Sequence, residues 1–166
     1  MTNLEQERAM ADEENSDPDR PNAGARILVA EDDDDIRELI VTVLLQEGYV
    51  VYEAETGDEL LRTIHSIVVD AWPSDGIDLV VMDINMPGIS GLEALRTLRE
   101  RRWPTPVILI TALPSPQIIA EARRLGAPVL AKPFPLDKLS ETARATLRAR
   151  PPRQEPPRSV RFMTGR

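Results

Sequence analysis

The sequence predicts an α/β domain in which a five-stranded parallel sheet is covered by helices on both faces. Three observations carry that prediction. Five short apolar runs (27–30, 49–54, 78–83, 106–111 and 127–132) alternate with five longer segments of helical periodicity. The runs lack the polar alternation of a sheet with one wet face, so both of their sides are buried. Three of the five end in an acid, a threonine or a lysine and a fourth is followed at once by two acids, and a parallel sheet would collect those ends along one edge.

Taken in order, ILVA (27–30) leads into a helix from Asp34 to Glu47, where Ile36, Leu39, Ile40, Val43 and Leu44 recur at helical spacing and Gly48 stops the turn. YVVYEA (49–54) precedes a helix from Asp58 to Val69, with Leu60, Leu61, Ile64, Ile67 and Val68 on one side, and a loop holding Trp72, Pro73 and Gly76. DLVVMD (78–83) is followed by a helix from Gly91 to Arg101, and PVILIT (106–111) by one from Pro116 to Leu125 that Gly126 ends. Trp103, just before the fourth strand, is expected to cover the end of the sheet. APVLAK (127–132) is the fifth strand, and the last helix runs from Leu136 to Arg148 because Pro151 and Pro152 forbid its continuation.

The chain has 166 residues, 42% of them apolar, enough for one domain with a real core. Its net charge of −8 opposes a general electrostatic grip on nucleic acid, and the lack of cysteine closes off disulfides and thiolate chemistry. No stretch approaches the ~20 apolar residues that span a bilayer, and the N-terminus has no apolar signal core. A soluble cytoplasmic protein is expected, without nucleic-acid or membrane binding of its own. Residues 1–24 carry seven acids against Arg8 and Arg20, and are expected to form a disordered acidic tail. Residues 25–150 form the compact domain, and 151–166, with four prolines and four arginines, a flexible tail offering Val160, Phe162 and Met163 as apolar anchors.

The chemistry gathers at the strand ends: Glu31 and Asp32 after the first strand, Asp83 after the third, Thr111 after the fourth, Lys132 after the fifth. The second strand contributes nothing of the kind. Like charges at ~4 Å and an effective dielectric of ~20 repel by roughly 4 kcal/mol per pair, so the acids need a cation. Carboxylate oxygens without His or Cys favour Mg²⁺. Lys132 and Thr111 supply the point charge and hydroxyl donor that a transferring phosphoryl group needs, and Asp83 would be the nucleophile. Asp33, Asp34 and Asp35 lie where a helix begins and are assigned to capping, and the lone His65 to a helix surface.

ILVAEDD, DLVVMDINMPGISGLEALRTLR, PVILITA and VLAKPF resemble the receiver domain of bacterial response regulators over residues 26–148. The resemblance implies a flavodoxin-like (βα)5 fold with strand order 2-1-3-4-5. It implies that Asp83 accepts a phosphoryl group from a histidine kinase, that Glu31, Asp32, Asp83 and the carbonyl of Asn85 hold Mg²⁺, and that Thr111 and Lys132 contact the phosphoryl oxygens. A cis Lys132–Pro133 bond is also implied by resemblance. The upstream partner would be a sensor histidine kinase or a phosphotransfer protein, and the downstream partner an unidentified protein, met by a monomer or a phosphorylation-dependent dimer. Arg123, Arg124, Lys138, Arg144 and Arg148 fall on the last two helices, the face receivers present to partners.

The expected function is a phosphorylation-switched module acting through protein–protein contacts, since about 16 residues after the last helix are too few for an output domain. Two rivals remain. A phosphorylation-independent scaffold is opposed by the full acid set. A Mg²⁺-dependent phosphatase of the haloacid dehalogenase type would place its nucleophile after the first strand, where this chain reads EDDDD and then Ile36. Three departures from the family pattern stand out: a long connection between Gly57 and Asp83, a short one from Gly126 to Lys132, and Val129 where an aromatic switch residue is usual.

Overall fold

The structure, a computed structural model, describes residues 22, 24–70 and 76–149. Both expected tails apart from residues 22 and 24, residues 71–75 with Trp72 and Pro73, and the side chains of residues 67–70, Ile67 and Val68 among them, lie outside that description. The elements follow the expected alternation: β1 (Arg26–Ala30), α1 (Asp34–Gln46), β2 (Val50–Ala54), α2 (Gly57–Asp70), β3 (Leu79–Asp83), α3 (Gly91–Glu100), β4 (Val107–Thr111), α4 (Pro116–Arg124), β5 (Val129–Ala131) and α5 (Leu136–Arg148). All strands pair in parallel in the order β2-β1-β3-β4-β5.

Alternate residues of the strands feed two cores. Leu28, Val80, Met82 and Leu109 pack with Leu60 and Ile64 of α2, Leu92, Leu95 and Leu98 of α3, and Ala122 of α4. Ile27, Val29, Leu79, Val81, Ile108 and Ile110 pack with Ile40 and Leu44 of α1 and with Leu139, Ala143 and Leu147 of α5. β3 and β4 are buried along their whole lengths, which is why their sequences carry no alternation. Trp103 packs half-buried against the α2–α4 core, as its position beside the sheet led us to expect.

Three sequence expectations need correction. The second strand is not buried on both sides, for it lies at the sheet edge and only its Ala54 is buried. The fifth strand spans three residues rather than six: it is an edge strand with β4 as its sole partner, and Pro128 has no N–H to add to a ladder. In α1 the sheet-facing positions are Arg37, Ile40 and Leu44, whereas Leu39 is 48% exposed. One residue turns a helix by about 100°, so Leu39 lies off the stripe that Ile40 defines. The acids at the start of α1 behave as expected, for Asp33 caps the helix by accepting from the Ile36 N–H at 3.0 Å, with Asp34 and Asp35 in the first turn.

The loop between β3 and α3 is pressed against two helix starts. A Cβ on Gly91 would collide with the carbonyl of Asp83, and one on Gly57 with the carbonyl of Ile89. The first contact sets the path of the chain as it leaves Asp83, and the Gly91 N–H bonds the Ile84 carbonyl at 3.0 Å. On an open helix Gly→Ala stabilises by about 1 kcal/mol. Here the atoms in the way are backbone and cannot rotate aside, and overpacking costs about 1–3 kcal/mol. Gly91→Ala is therefore expected to lower the urea midpoint despite its better helix propensity; a raised midpoint would mean that the loop yields.

Candidate functional site

Because the strands are parallel, the residues at their carboxyl ends meet along one edge although they are distant in sequence. Glu31, Asp32 and Asp83 each place a carboxylate oxygen within 4.8 Å of the others. Glu31 and Asp83 are buried and Asp32 is exposed, so the cluster has a dry floor and a wet mouth. Lys132 Nζ donates to Glu31 Oε2 at 2.7 Å and lies 3.5 Å from Asp83 Oδ1. The second distance attracts without closing a hydrogen bond, and Asp83 Oδ1 remains a buried oxygen with no hydrogen-bond partner among the described residues.

Thr111 is fully buried at the end of β4. Its hydroxyl oxygen accepts from the Leu113 N–H at 3.1 Å and from Asn85 Nδ2 at 3.4 Å, tying the β4–α4 loop and the β3–α3 loop to one atom. All the residues singled out from the sequence (Glu31, Asp32, Asp83, Asn85, Thr111 and Lys132) thus lie at this edge. The Lys132–Pro133 bond is cis. His65 is exposed on α2.

Burial pushes the carboxyls of both Glu31 and Asp83 above their ordinary values. The Lys132 ammonium pulls each back down, while Asp83 opposes ionisation of Glu31 and Asp32 opposes that of Asp83. The donors are hard oxygens alone, one of them buried and without a hydrogen-bond partner, so the residues fit a divalent cation such as Mg²⁺.

One contributor was not visible in the sequence reading. Arg37 is buried on the first turn of α1 and donates from Nη1 to the Glu31 carbonyl at 2.8 Å, from Nη2 to Asp34 Oδ1 at 2.6 Å and from Nε to Glu53 Oε2 at 3.2 Å. β2, which offered nothing at its end, supplies Glu53 to this arginine. The available signal was spacing: Arg37 precedes Ile40 by three and Leu44 by seven, on the sheet-facing stripe.

A fitting family model, that of the response regulator receiver domain, matches residues 27–144. The regulatory protein AtoC of Escherichia coli is 37% identical over 116 residues, covering 69% of this chain and 23% of AtoC. A probable transcriptional regulatory protein of Picosynechococcus is 38% identical over 125 residues, 75% of this chain and 49% of that protein. The chain thus spans half or less of the length of these curated relatives. Among solved structures, the response regulator TrrA of Thermotoga maritima in complex with Mg²⁺-BeF is 34% identical with a TM-score of 0.62, covering 74% of this chain and 98% of that one. Among the described residues, no helix is long and apolar enough to cross a membrane.

The raised carboxyls link the site to stability. Above the ordinary values of 4.5 for Glu31 and 3.8 for Asp83, the folded chain still holds protons that the unfolded chain has released. Without metal, stability should therefore fall as pH rises from those values through the raised folded ones, and these two groups contribute no slope below them. Urea unfolding in chelator is expected to show this decline, to show it reduced in Glu31→Gln, and to show Mg²⁺ offsetting it at neutral pH but not at pH 4. Equal pH slopes in wild type and Glu31→Gln would count against the assignment.

Proposed function

Given that this chain belongs to the response regulator receiver family, whose members are signalling modules of two-component systems that interact with histidine kinases or phosphotransfer proteins, we propose that Asp83 is its phosphoacceptor and that the phosphorylated domain signals by protein–protein contact. The observation that carries the reading is Asp83 itself: a buried carboxylate with one oxygen that closes no hydrogen bond, flanked by an acid pair and an ammonium, with the buried Thr111 ending the neighbouring strand. In the transfer, the N–P bond of a phosphohistidine breaks as an Asp83 oxygen bonds to phosphorus, and the electron pair returns to the imidazole, which takes up a proton.

Glu31, Asp32, Asp83 and the Asn85 carbonyl would hold Mg²⁺. When bound, the cation supplies positive charge against the carboxylates and the equatorial phosphoryl oxygens. Lys132, already near Asp83, would turn part of its charge to a phosphoryl oxygen, and the Thr111 hydroxyl would donate its proton to another. Movement of Thr111 toward the phosphoryl group would pull on the Leu113 N–H and so on the β4–α4 loop. The loop leads into α4, which buries only Ala122 where α3 buries five residues. A loosely seated helix can shift at modest cost. The surface that would change includes Arg123, Arg124, Lys138 and Arg148, all exposed on α4 and α5.

The proposal extends to residues 25–150 as the receiver, to a cytoplasmic protein without enzymatic turnover or nucleic-acid binding of its own, and to an upstream kinase or phosphotransfer protein with a protein target downstream. Incubation with acetyl phosphate and Mg²⁺ is expected to label Asp83 alone. Asp83→Ala should lose the label, and Asp32→Ala should weaken Mg²⁺ binding. Retained label in Asp83→Ala would overturn the assignment, and no label on the wild type would favour a phosphorylation-independent scaffold.

Val129, half-buried beside the groove between α4 and β5, is too short to act as a swinging ring. The signal would be carried by residues 111–118 instead. Amide shifts on beryllofluoride binding are expected to concentrate there and at the start of α4; shifts centred on β5 with that loop unchanged would reject this route.

A further inference from the structure

Arg37 has no part in the chemistry proposed above, yet the fold buries it beside the acid pair. Desolvating a guanidinium is costly unless its donors are satisfied. Here they are distributed over three segments: the Glu31 carbonyl at the end of β1, Asp34 in the first turn of α1, and Glu53 of β2, with Glu55 Oε1 a further 3.6 Å ionic contact from Nη2. The planar fork suits this, since its five donors point in fixed directions.

The contact to Glu31 matters because of what shares that peptide unit. The Glu31 carbonyl and the Asp32 N–H belong to one rigid plane. Holding the carbonyl at 2.8 Å fixes the plane from which the Glu31 side chain turns inward to Lys132 and the Asp32 side chain outward to the mouth of the cluster. We propose that Arg37 is a positioning residue for cation binding: it orients the Glu31–Asp32 peptide so that both carboxylates face Asp83. This rests on the reading of the acid cluster as a Mg²⁺ site.

Charge alone makes the opposite prediction. A cation beside the cluster repels a second cation, so removing Arg37 would tighten Mg²⁺ binding if its charge were what counted, and Lys in its place would change nothing. Positioning predicts weaker binding for both, because Met has no donors and a lysine ammonium cannot reach three segments at once. Outer-shell partners of metal ligands typically change affinity by about tenfold or more, and that loss is expected for Arg37→Met, with a smaller one for Arg37→Lys.

The test is a Mg²⁺ titration of the full chain followed by amide chemical shifts, with thermal unfolding measured on each variant. A purely structural role would lower the unfolding midpoint while leaving the affinity of the folded protein unchanged. Weaker binding in folded Arg37→Met and Arg37→Lys supports the proposal; should Arg37→Met not fold, Arg37→Lys decides it. Wild-type or tighter binding in these variants, with binding lost in Asp32→Asn, overturns the role of Arg37 alone. No Mg²⁺ binding by the wild type, or undiminished binding in Asp32→Asn, overturns the metal site and this proposal with it.

Discussion

Three carboxylates crowded at one edge of a buried sheet repel one another, and the fold is arranged around holding them there. Two of the three, Glu31 and Asp83, are withdrawn from water, which makes their charge more costly still. The opposing interaction inside the chain is Lys132, reaching from the far edge strand to Glu31 at 2.7 Å. That pair joins residues 101 positions apart, across β3 and β4, and exists because every strand points the same way. An antiparallel β5 would carry its lysine to the opposite end. Asp78 marks that opposite end: it too is a buried acid, but at the start of β3, where it accepts the Arg26 N–H at 2.8 Å and stays outside the cluster.

The same edge divides the domain into rigid and yielding parts. β3 and α3 are firmly seated, with Gly91 drawn against the carbonyl of Asp83 and a capping box between Ser90 and Glu93 starting the helix. α4 is held more lightly. It buries Ala122 and is tethered from outside by the two bonds of Arg96 to Glu121, at 2.6 and 2.9 Å. Exposed ion pairs contribute little, so α4 is held less firmly than α3. The proposed chemistry at Asp83 and the proposed motion at α4 would thus follow adjacent strands, β3 and β4, with unequal packing beyond them.

Much of this was legible from apolar runs and strand ends, because burial on both faces leaves its signature in β1, β3 and β4, whereas the edge strand β2 is apolar in sequence yet mostly exposed. The site residues were legible for the same reason: Asp83, Thr111 and Lys132 close runs whose register the sheet enforces. What was not legible depends on neighbours that spacing does not name. Leu39 fits a helical pattern yet is exposed, and Arg37 holds a stripe position but carries a charge, so its burial shows only in the partners that tertiary packing sets opposite it. Arg99 is a second case. It lies on α3 and donates to the carbonyls of Trp103, Thr105 and Leu125, so its desolvation is offset by contacts invisible in its own helix. Arginine far outnumbers lysine in the chain, and at these two positions the forked geometry has structural use.

Electrostatics set the order in which such a site can work. Asp33, Asp34, Asp35, Glu53 and Glu55 surround the cluster with further negative charge, so the edge attracts cations and repels any phosphorylated donor. A phosphoryl group is itself anionic and gains nothing from approaching three carboxylates with one lysine among them. A divalent cation changes that balance, and Lys132 is placed to add its charge from the other side of Asp83. Arg37 occupies the remaining flank, where its own charge is absorbed by Asp34, Glu53 and Glu55. A guanidinium so neutralised can hold the Glu31 carbonyl without competing strongly for the cation. Negative charge that would be a liability in the core would therefore serve twice, drawing in a cation and masking the arginine proposed to orient its ligands.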